Sequence, residues 1–289
     1  KGDGVDGKPT SIHMSIKLLN SIAELTAADC LQTNGSKPLR VLCNDFNYYI
    51  CKYFKGVGPA YSLFNEYIAS KFLFISGIAA PEFSLVNVST HHTAVTDLPY
   101  SYFDIPCFGS RKLDNVQEAD SFLAEITFSS AEYDNGRQSF LDIALFDIWL
   151  SNEDRTQNNY NLLFDYKNNI FVPIDHVQIF SGNNLDKEPA LITFDESIIN
   201  SMLFAKIFSR ILQTNIQNLR SDTTTKFQLN CHKCHENLPG ILQDLTPEWR
   251  LDKEYLAARM SYLFTDEWIS GCINTFNEFL QISFNHKSR

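Results

Sequence analysis

The sequence predicts an α+β fold in two lobes, with a small β-rich N-terminal lobe and a larger, mostly helical C-terminal lobe. In the first third of the chain, short runs of β-branched and aromatic residues alternate with turn residues, and one long helical pattern interrupts them. From about residue 115 onward, apolar residues recur mainly at helical spacing. We therefore expect the N-terminal lobe at residues 14–108 and the C-terminal lobe at residues 109–289.

Residues 1–13 are expected to be a vector-derived tag, because His13 and Met14 are what a common cloning junction encodes, and Met14 is the expected natural start. No signal peptide is visible, and no apolar run approaches the roughly 18 residues of a membrane-spanning helix. The seven cysteines are scattered through a chain too long to need a disulfide framework, which predicts reduced thiols and a cytoplasmic protein. The formal net charge of −10 argues against direct binding to nucleic acid.

The elements of the N-terminal lobe are predicted in chain order. "SIKLLNSIAEL" has helical spacing, with Ser15 as its N-cap. "LRVLC" and "YYICKYF" are expected to be strands around the turn "NDFN" at residues 44–47. A long helix, "YSLFNEYIASKFLFISG", follows and ends at Gly77. "PEFSLVNV" at residues 81–88 is a further strand, and the polar stretch 97–115 is the expected irregular hinge between the lobes.

The C-terminal lobe is predicted to contain four helices and one hairpin. The helices are "EADSFLAEITF", "RQSFLDIALFDIWL", "DKEYLAARMSYLF" and "DEWISGCINTFNEFL". The hairpin pairs "YNLLFDY" with "IFVPI" across the turn "KNN".

Three polar residues surround this hairpin and form the central candidate site. Asp154 lies in a loop after a helix, Asn159 follows five residues later just before the first strand, and Asp175 comes just after the second strand. An antiparallel hairpin brings Asn159 and Asp175 together at its open end. Such residues also satisfy turns beside strands, but the order of helix, loop, hairpin and terminal Asp favours phosphoryl transfer. Asn159 and Asp175 would then bind Mg²⁺, and Asp154 would accept the proton of an attacking hydroxyl.

A second half of this site is predicted in the N-terminal lobe. Lys52 lies among aromatic and aliphatic residues in "YYICKYF", so its ammonium must find a partner or reach water. Glu66, fourteen residues later on the long helix, is the expected partner, and the pair would place a cation over the nucleotide phosphates. No G-x-G-x-x-G motif precedes Lys52, and "NDFN" would cover a nucleotide only loosely. Gly58 in "KGVGPA" either brings backbone amides close to phosphate or belongs to a flexible connection.

Other polar residues have several interpretations. Arg155 is expected to pair with Asp175, with a substrate or with a nearby acid, or to lie on the surface. His176 is expected to be a core histidine or one that supports the site from behind, with a hydrogen bond into the loop of Asp154 as the less favoured alternative. "CHKCHE" at residues 231–236 is expected to be an exposed loop, with a structural zinc site as the less favoured alternative because its four ligands are crowded together.

The motifs "CFGSR", "FDIWLSNEDRTQNNYNLLF" and "FVPIDH" resemble the HipA-like kinases, particularly a small branch without the usual N-terminal subdomain, from about residue 37 to the late helices. The resemblance implies a bilobal protein-kinase-like fold, ATP and Mg²⁺ as cofactors and, often, serine/threonine protein kinase activity. It implies Asp154 as the catalytic base, Asn159 and Asp175 as metal ligands, and Lys52 as the lysine that contacts phosphate. Some relatives are toxins paired with a DNA-binding antitoxin, which implies an antitoxin-like partner that this chain does not reveal. The serine-bearing phosphate loop of larger members is not found before the lysine strand.

Two alternatives stay open. The stretch "NEDRTQNNYNLL…IDH" also resembles type II phosphatidylinositol 4-kinases, but a lipid kinase needs a basic or cysteine-rich membrane surface that this acidic sequence lacks. A pseudokinase that binds a nucleotide or a partner typically lacks one of the five site residues, all of which are present here. The sequence therefore predicts an ATP- and Mg²⁺-dependent kinase acting on a serine or threonine hydroxyl of a protein, with neither membrane nor nucleic acid as partner.

Overall fold

A computed structural model of the chain describes most of its residues. The described residues are 16–31, 37–120, 133–183, 185–209, 211 and 213–285. The expected tag, Ser15 as predicted N-cap, and most of the predicted helix "EADSFLAEITF" therefore lie outside the described residues.

Five strands form one sheet in the N-terminal lobe. They are β1 (Leu18–Asn20), β2 (Leu39–Leu42), β3 (Tyr48–Lys52), β4 (Phe83–Asn87) and β5 (Cys107–Arg111). Their order across the sheet is β1-β4-β5-β3-β2. The strands β2, β3, β4 and β5 pair antiparallel, and β1 pairs parallel with β4. The strands predicted on both sides of "NDFN" and at residues 81–88 are thereby confirmed.

The prediction of a helix in "SIKLLNSIAEL" was wrong. Leu19 is buried between the exposed residues Leu18 and Asn20, which is the alternation of a strand. The partner of this strand is β4, where Leu18 lies opposite Leu85. Pairing with a strand more than sixty residues away along the chain overrides the weak helical spacing.

The stretch 97–115 was predicted to be irregular throughout, and this was wrong for residues 107–111. These residues form β5, an inner strand that pairs with both β3 and β4. The strand covers residues on both sides of the expected division between 108 and 109, and that division stays a prediction.

The long helix of the N-terminal lobe, α1 (Tyr61–Ser76), is confirmed, and it ends at Gly77 with a φ of 67°. Most residues of α1 are buried, because the helix lies between the sheet and the helices that follow. The hydroxyl of Tyr67 donates a hydrogen bond of 2.9 Å to the carbonyl of Ile241 in the C-terminal lobe. The helix that carries Glu66 therefore packs against the sheet of its own lobe and also against the C-terminal lobe.

Besides the short segment Ile179–Asn183, whose three central residues have left-handed φ and ψ, five helices follow in the described part of the C-terminal lobe. They are α2 (Asp134–Trp149), α3 (Met202–Ile207), α4 (Gln213–Gln243), α5 (Lys253–Met260) and α6 (Asp266–Asn285). Trp149 stacks obliquely on Phe72 of α1, with ring centroids 5.2 Å apart, and its indole donates to the carbonyl of Leu263. The helices predicted in "RQSFLDIALFDIWL", "DKEYLAARMSYLF" and "DEWISGCINTFNEFL" are confirmed. No helix of the described residues combines the length and hydropathy needed for a membrane crossing.

The hairpin predicted around "KNN" is confirmed and belongs to a three-stranded sheet. Its strands are β6 (Val116–Glu118), β7 (Leu162–Asp165) and β8 (Ile170–Pro173), in the order β6-β7-β8. The sequence did not predict β6, whose last residue was assigned to a helix. At the open end of the hairpin, the N–H of Ile174 donates to the carbonyl of Asn161 at 3.0 Å.

The prediction of an exposed loop in "CHKCHE" was wrong, because this segment lies inside α4. The thiols of Cys231 and Cys234 are three residues apart, so they share the buried side of the helix. The imidazole of His232 lies 3.3 Å from the carboxylate of Glu236 on the exposed side. His235 stacks on Phe264 with ring centroids 4.7 Å apart. The seven cysteines all lie among the described residues, and none of them forms a disulfide.

Candidate active site

The loop between α2 and β7, which we call the catalytic loop after its proposed role, holds the carboxylate of Asp154 through two hydrogen bonds. The side-chain amide of Asn159 donates to Oδ2 of Asp154 at 3.0 Å, and that of Asn161 donates to the same oxygen at 3.2 Å. Both bonds use Oδ2, so neither occupies Oδ1. The sequence predicted that Asp154 and Asn159 lie close together, but it predicted neither of these two hydrogen bonds.

Asn159 is itself held by a tight turn of the backbone. The N–H of Thr156 donates to the carbonyl of Asn159 at 3.0 Å, and the N–H of Asn159 donates to the carbonyl of Thr156 at 3.2 Å. Because the side-chain nitrogen of Asn159 donates to Asp154, the side-chain oxygen Oδ1 of Asn159 is the atom that can face a metal ion. An amide oxygen and a carboxylate are suitable ligands for Mg²⁺.

The guanidinium of Arg155 is buried beneath this loop. Its Nε lies 2.8 Å from Oδ2 of Asp147, near the end of α2. Its Nη1 donates to three backbone carbonyls, those of Tyr160, Asn161 and Ile174, which joins the catalytic loop to the hairpin. Of the partners considered for Arg155, the nearby acid is the one observed. Burial raises the pKa of Asp147, while the charge of Arg155 opposes that rise.

Asp147 is a residue that the sequence analysis missed. It is 3% exposed, and its Oδ1 also accepts a hydrogen bond of 2.8 Å from the side chain of Asn152. The available signal was an acid within an otherwise apolar helical run, "IALFDIWL", followed by an arginine in the next loop. A buried acid of this kind needs a cationic partner.

Lys52 brings the N-terminal half of the site to Asp175. Its Nζ lies 2.5 Å from Oε1 of Glu66 and 2.6 Å from Oδ1 of Asp175. Burial alone would lower the pKa of Lys52, but the two carboxylates overcome this effect and raise it. Burial would raise the pKa of Asp175, but the charge and hydrogen bond of Lys52 lower it. The lysine is therefore a cation and Asp175 an anion at neutral pH.

His176 connects this cluster to the catalytic loop. Its backbone N–H donates to Oε1 of Glu66 at 3.0 Å, and its Nε2 lies 3.0 Å from Nη2 of Arg155. A guanidinium can only donate, so Nε2 is the acceptor and the ring proton lies on Nδ1. Burial, together with the charges of Arg155 and Lys52, holds the pKa of His176 well below its usual value. The ring is consequently neutral; it is buried as expected, and it also contacts the catalytic loop through Arg155.

Gly58 lies in the connection between β3 and α1. Its φ is 105°, and a Cβ built on it would meet nothing within 4 Å. Backbone conformation, rather than crowding, therefore accounts for glycine at this position. Its neighbour Val57 is fully exposed.

A lysine held by a helix glutamate, an Asp after the hairpin and an Asp–Asn pair before the hairpin form the arrangement that is typical of a kinase site. The family model described as HipA-like kinase matches residues 31–278, which is most of the chain. The chain belongs to the HipA-like kinase family and is a kinase.

Comparison with solved structures gives the same fold. The crystal structure of the Helicobacter pylori proinflammatory kinase CtkA matches with a TM-score of 0.52 and 13% identity, covering 93% of this chain and 98% of that one. At this identity the likeness shows the fold alone, and it confirms the predicted α+β bilobal kinase-like architecture. No curated protein matches the chain.

Proposed function

We propose that this kinase transfers the γ-phosphoryl group of ATP, in the presence of Mg²⁺, to a serine or threonine hydroxyl of a protein. The observation that carries the proposal is the contact of Lys52 with both Glu66 and Asp175. A lysine between a helix glutamate and a metal-binding aspartate is the assembled arrangement of an active kinase.

Asn159 and Asp175 are the proposed Mg²⁺ ligands. Each offers a hard oxygen atom, and the hairpin brings both residues to its open end. A bound Mg²⁺ would supply neutralisation of phosphate charge during transfer. The low pKa of Asp175 suits this role, because the carboxylate is ionised at neutral pH without the help of a metal.

Lys52 and Gly58 are the proposed phosphate contacts. The ammonium of Lys52 would bind the α- and β-phosphates while Glu66 keeps the side chain in place. The loop at Gly58 would bring backbone N–H groups towards the phosphates.

Asp154 is the proposed general base. It would accept the proton of the attacking hydroxyl, whose oxygen forms a bond to the γ-phosphorus as the bond to the bridging oxygen breaks and ADP leaves. The two amides on Oδ2 hold the carboxylate in a single orientation, which positions the hydroxyl.

Radiolabelled ATP, Mg²⁺ and a host lysate test these roles. We expect that Asp154→Ala and Asp175→Ala both abolish labelling, and that only Asp175→Ala also weakens Mg²⁺-dependent nucleotide binding. Asp114→Ala is the matched control, because this exposed acid pairs with the exposed Lys112 and its loss should leave labelling unchanged.

Phosphoamino-acid analysis of the labelled product then tests the substrate class. Phosphoserine or phosphothreonine supports the proposal, whereas label in lipid vesicles would favour the lipid-kinase alternative. Nucleotide binding without any transfer would favour a pseudokinase, and equal labelling by all variants would refute the assigned roles. A cytoplasmic location and a toxin-like role with an antitoxin-like partner are further predictions from the sequence and its family.

A further inference from the structure

Three consecutive residues after β8 are held from one side, by β3 and α1. The carboxylate of Asp175 contacts Lys52 at 2.6 Å, the N–H of His176 donates to Glu66 at 3.0 Å, and the carbonyl of Val177 accepts a 2.8 Å bond from Nδ2 of Asn65. Lys52 and Glu66 already belong to the proposed site. Asn65 does not, although it is the neighbour of Glu66 on α1.

The bond from Asn65 joins residues 112 positions apart in the chain, and Asn65 is only 1% exposed. An amide buried to this degree is costly unless it forms hydrogen bonds, so its placement against Val177 is strongly constrained. The N–H of Val177 in turn bonds to the carboxylate of Asp175. A short chain of contacts therefore runs from Asn65 through Val177 to the proposed metal ligand.

The backbone of Asp175 needs such support. Its φ is 58°, a left-handed conformation that residues other than glycine rarely adopt. A conformation of this kind persists only where the surrounding structure determines it. On the preceding side, the N–H of Ile174 is bound to the carbonyl of Asn161 at 3.0 Å. On the following side, Glu66 and Asn65 hold His176 and Val177.

We propose that Asn65 is a positioning residue, which holds the loop at residues 175–177 against α1 and thereby aims the Asp175 carboxylate at the divalent cation. This inference rests on the proposed function. Without the bond to Val177 the loop loses one of its anchors on α1, and the carboxylate of Asp175 samples orientations that do not bind the ion. A small displacement of a ligand from its productive geometry is sufficient to weaken a site.

The test compares Asn65→Leu with Asn230→Leu. Leucine has the same branched arrangement of heavy atoms as asparagine, with larger methyl groups in place of the amide, and it has no hydrogen-bond donor. Asn230 is a matched control, because its Nδ2 also donates to a backbone carbonyl of α1, that of Ser76, at 3.0 Å. That bond lies at the opposite end of α1 from the loop. Both substitutions therefore remove the same type of bond from the same helix.

Binding of ADP to the full chain is measured at increasing free Mg²⁺, which gives a readout independent of turnover. For Asn65→Leu we expect the Mg²⁺ concentration at half-maximal binding to rise about five- to tenfold, as suits the loss of one buried hydrogen bond. ADP binding without Mg²⁺ should change less than twofold. Asn230→Leu should keep the Mg²⁺ dependence of the wild type.

Hydrogen exchange of the backbone around residues 174–178 is the second readout, taken without nucleotide. We expect faster exchange there in Asn65→Leu than in the wild type or in Asn230→Leu. If Asn65→Leu does not fold, Asn65→Ser replaces it, because the shorter side chain cannot reach the carbonyl of Val177, and the same rise is expected.

The outcomes separate this inference from the proposed function. Lower thermal stability of the Asn65 variant with an unchanged Mg²⁺ dependence would overturn the positioning role and leave the proposed function standing. A wild-type chain whose nucleotide binding does not depend on Mg²⁺ would overturn the proposed function, and the inference with it.

Discussion

At the scale of single residues, backbone conformation limits which side chains suit the proposed site. Ser151, Asn161 and Asp175 all have positive φ, and each lies where a regular element meets the catalytic loop or the loop after β8. Asn and Asp are among the residues that best tolerate this region. At two of these positions, the chemistry expected of the site and the conformation of the backbone therefore favour the same residue types.

Lys52 gives the first prediction at this scale. Lys52→Met removes the cation that faces Glu66 and Asp175, so phosphoryl transfer should fall by at least about a hundredfold, as expected when a preorganised electrostatic contact is lost. Initial rates with Mg²⁺ and ATP measure this effect. Lys55→Met is the control, because Lys55 lies over the ring of Tyr53 on the same lobe. Equal rates for the two variants would contradict the role of Lys52.

His176 gives a prediction about pH and stability. Its pKa is lowered by folding, so below about pH 6.5 the unfolded chain takes up a proton that the folded chain does not. The free energy of unfolding should therefore decrease as the pH falls below that value, by up to about 1.4 kcal/mol per pH unit. Above pH 6.5 this contribution is constant.

Urea unfolding at pH 7.5, 6.5 and 5.5 measures the effect in the wild type and in His176→Asn. Asparagine keeps an acceptor for Arg155 but does not titrate, so the variant should show a smaller loss of stability towards pH 5.5. Parallel curves for the two proteins would show that another group is responsible. The lowered pKa of Asp175 also contributes stability. That contribution is lost only when the pH falls below the ordinary pKa of an Asp, so it does not affect the comparison between pH 7.5 and 5.5.

At the scale of elements, the catalytic loop is fixed to the end of α2 and to the hairpin by one buried side chain. Arg155 is 1% exposed and bonds to the carboxylate of Asp147 and to carbonyls on both sides of the hairpin's open end. The position of Asp154 therefore depends on its sequence neighbour, which has no direct part in the proposed chemistry.

Arg155→Met should destabilise the fold by about 3–5 kcal/mol, because it leaves the buried Asp147 without a counter-charge. Urea unfolding measures this cost. Adding Asp147→Leu to Arg155→Met should recover part of the stability, since no unpaired charge then remains. Arg111→Met is the control, because Arg111 pairs with Glu82 at the surface and should cost about 1 kcal/mol or less. A similar cost for both arginines would contradict the proposed anchoring.

At the scale of the whole molecule, α1 and the residues beside it connect the two lobes through hydrogen bonds and a shared hydrophobic core. The N–H of Ala60, just before α1, donates to the carbonyl of Trp249 at 3.0 Å. The indole of Trp249 donates to the carbonyl of Pro106, just before β5, at 2.8 Å. One hydrophobic core runs from α1 and parts of β4 and β5 into the C-terminal helices, while a second lies within the N-terminal lobe.

We therefore expect the chain to unfold in a single cooperative transition, and Mg²⁺ with ATP to shift that whole transition upward. At a ligand concentration about a hundred times Kd, the stabilisation should be about 2.7 kcal/mol. Differential scanning calorimetry measures both features. Asp175→Ala should lose the Mg²⁺-dependent part of the shift. Two separate transitions, of which nucleotide moves only one, would contradict the shared core.

Local patterns in the sequence predicted the parts of the fold whose partners are near in the chain. The spacing of "YSLFNEYIASKFLFISG" predicted α1 up to Gly77, and the alternation around "KNN" predicted the hairpin whose two strands lie between Asn159 and Asp175 in the chain. The isolated lysine in an apolar strand predicted the contact of Lys52 with Glu66. The roles of these residues in catalysis stay predictions.

Only the tertiary structure decided which distant groups meet. The pairing of β1 with β4, the burial of Cys231 within α4, and the contacts of Asp147 with Arg155 and of Asn65 with Val177 leave no periodic signal in the sequence. A buried polar group must form a hydrogen bond or ion pair, but the sequence contains several distant residues that could each be its partner. The choice among them is made by the packing of the whole core, which is a property of no single segment.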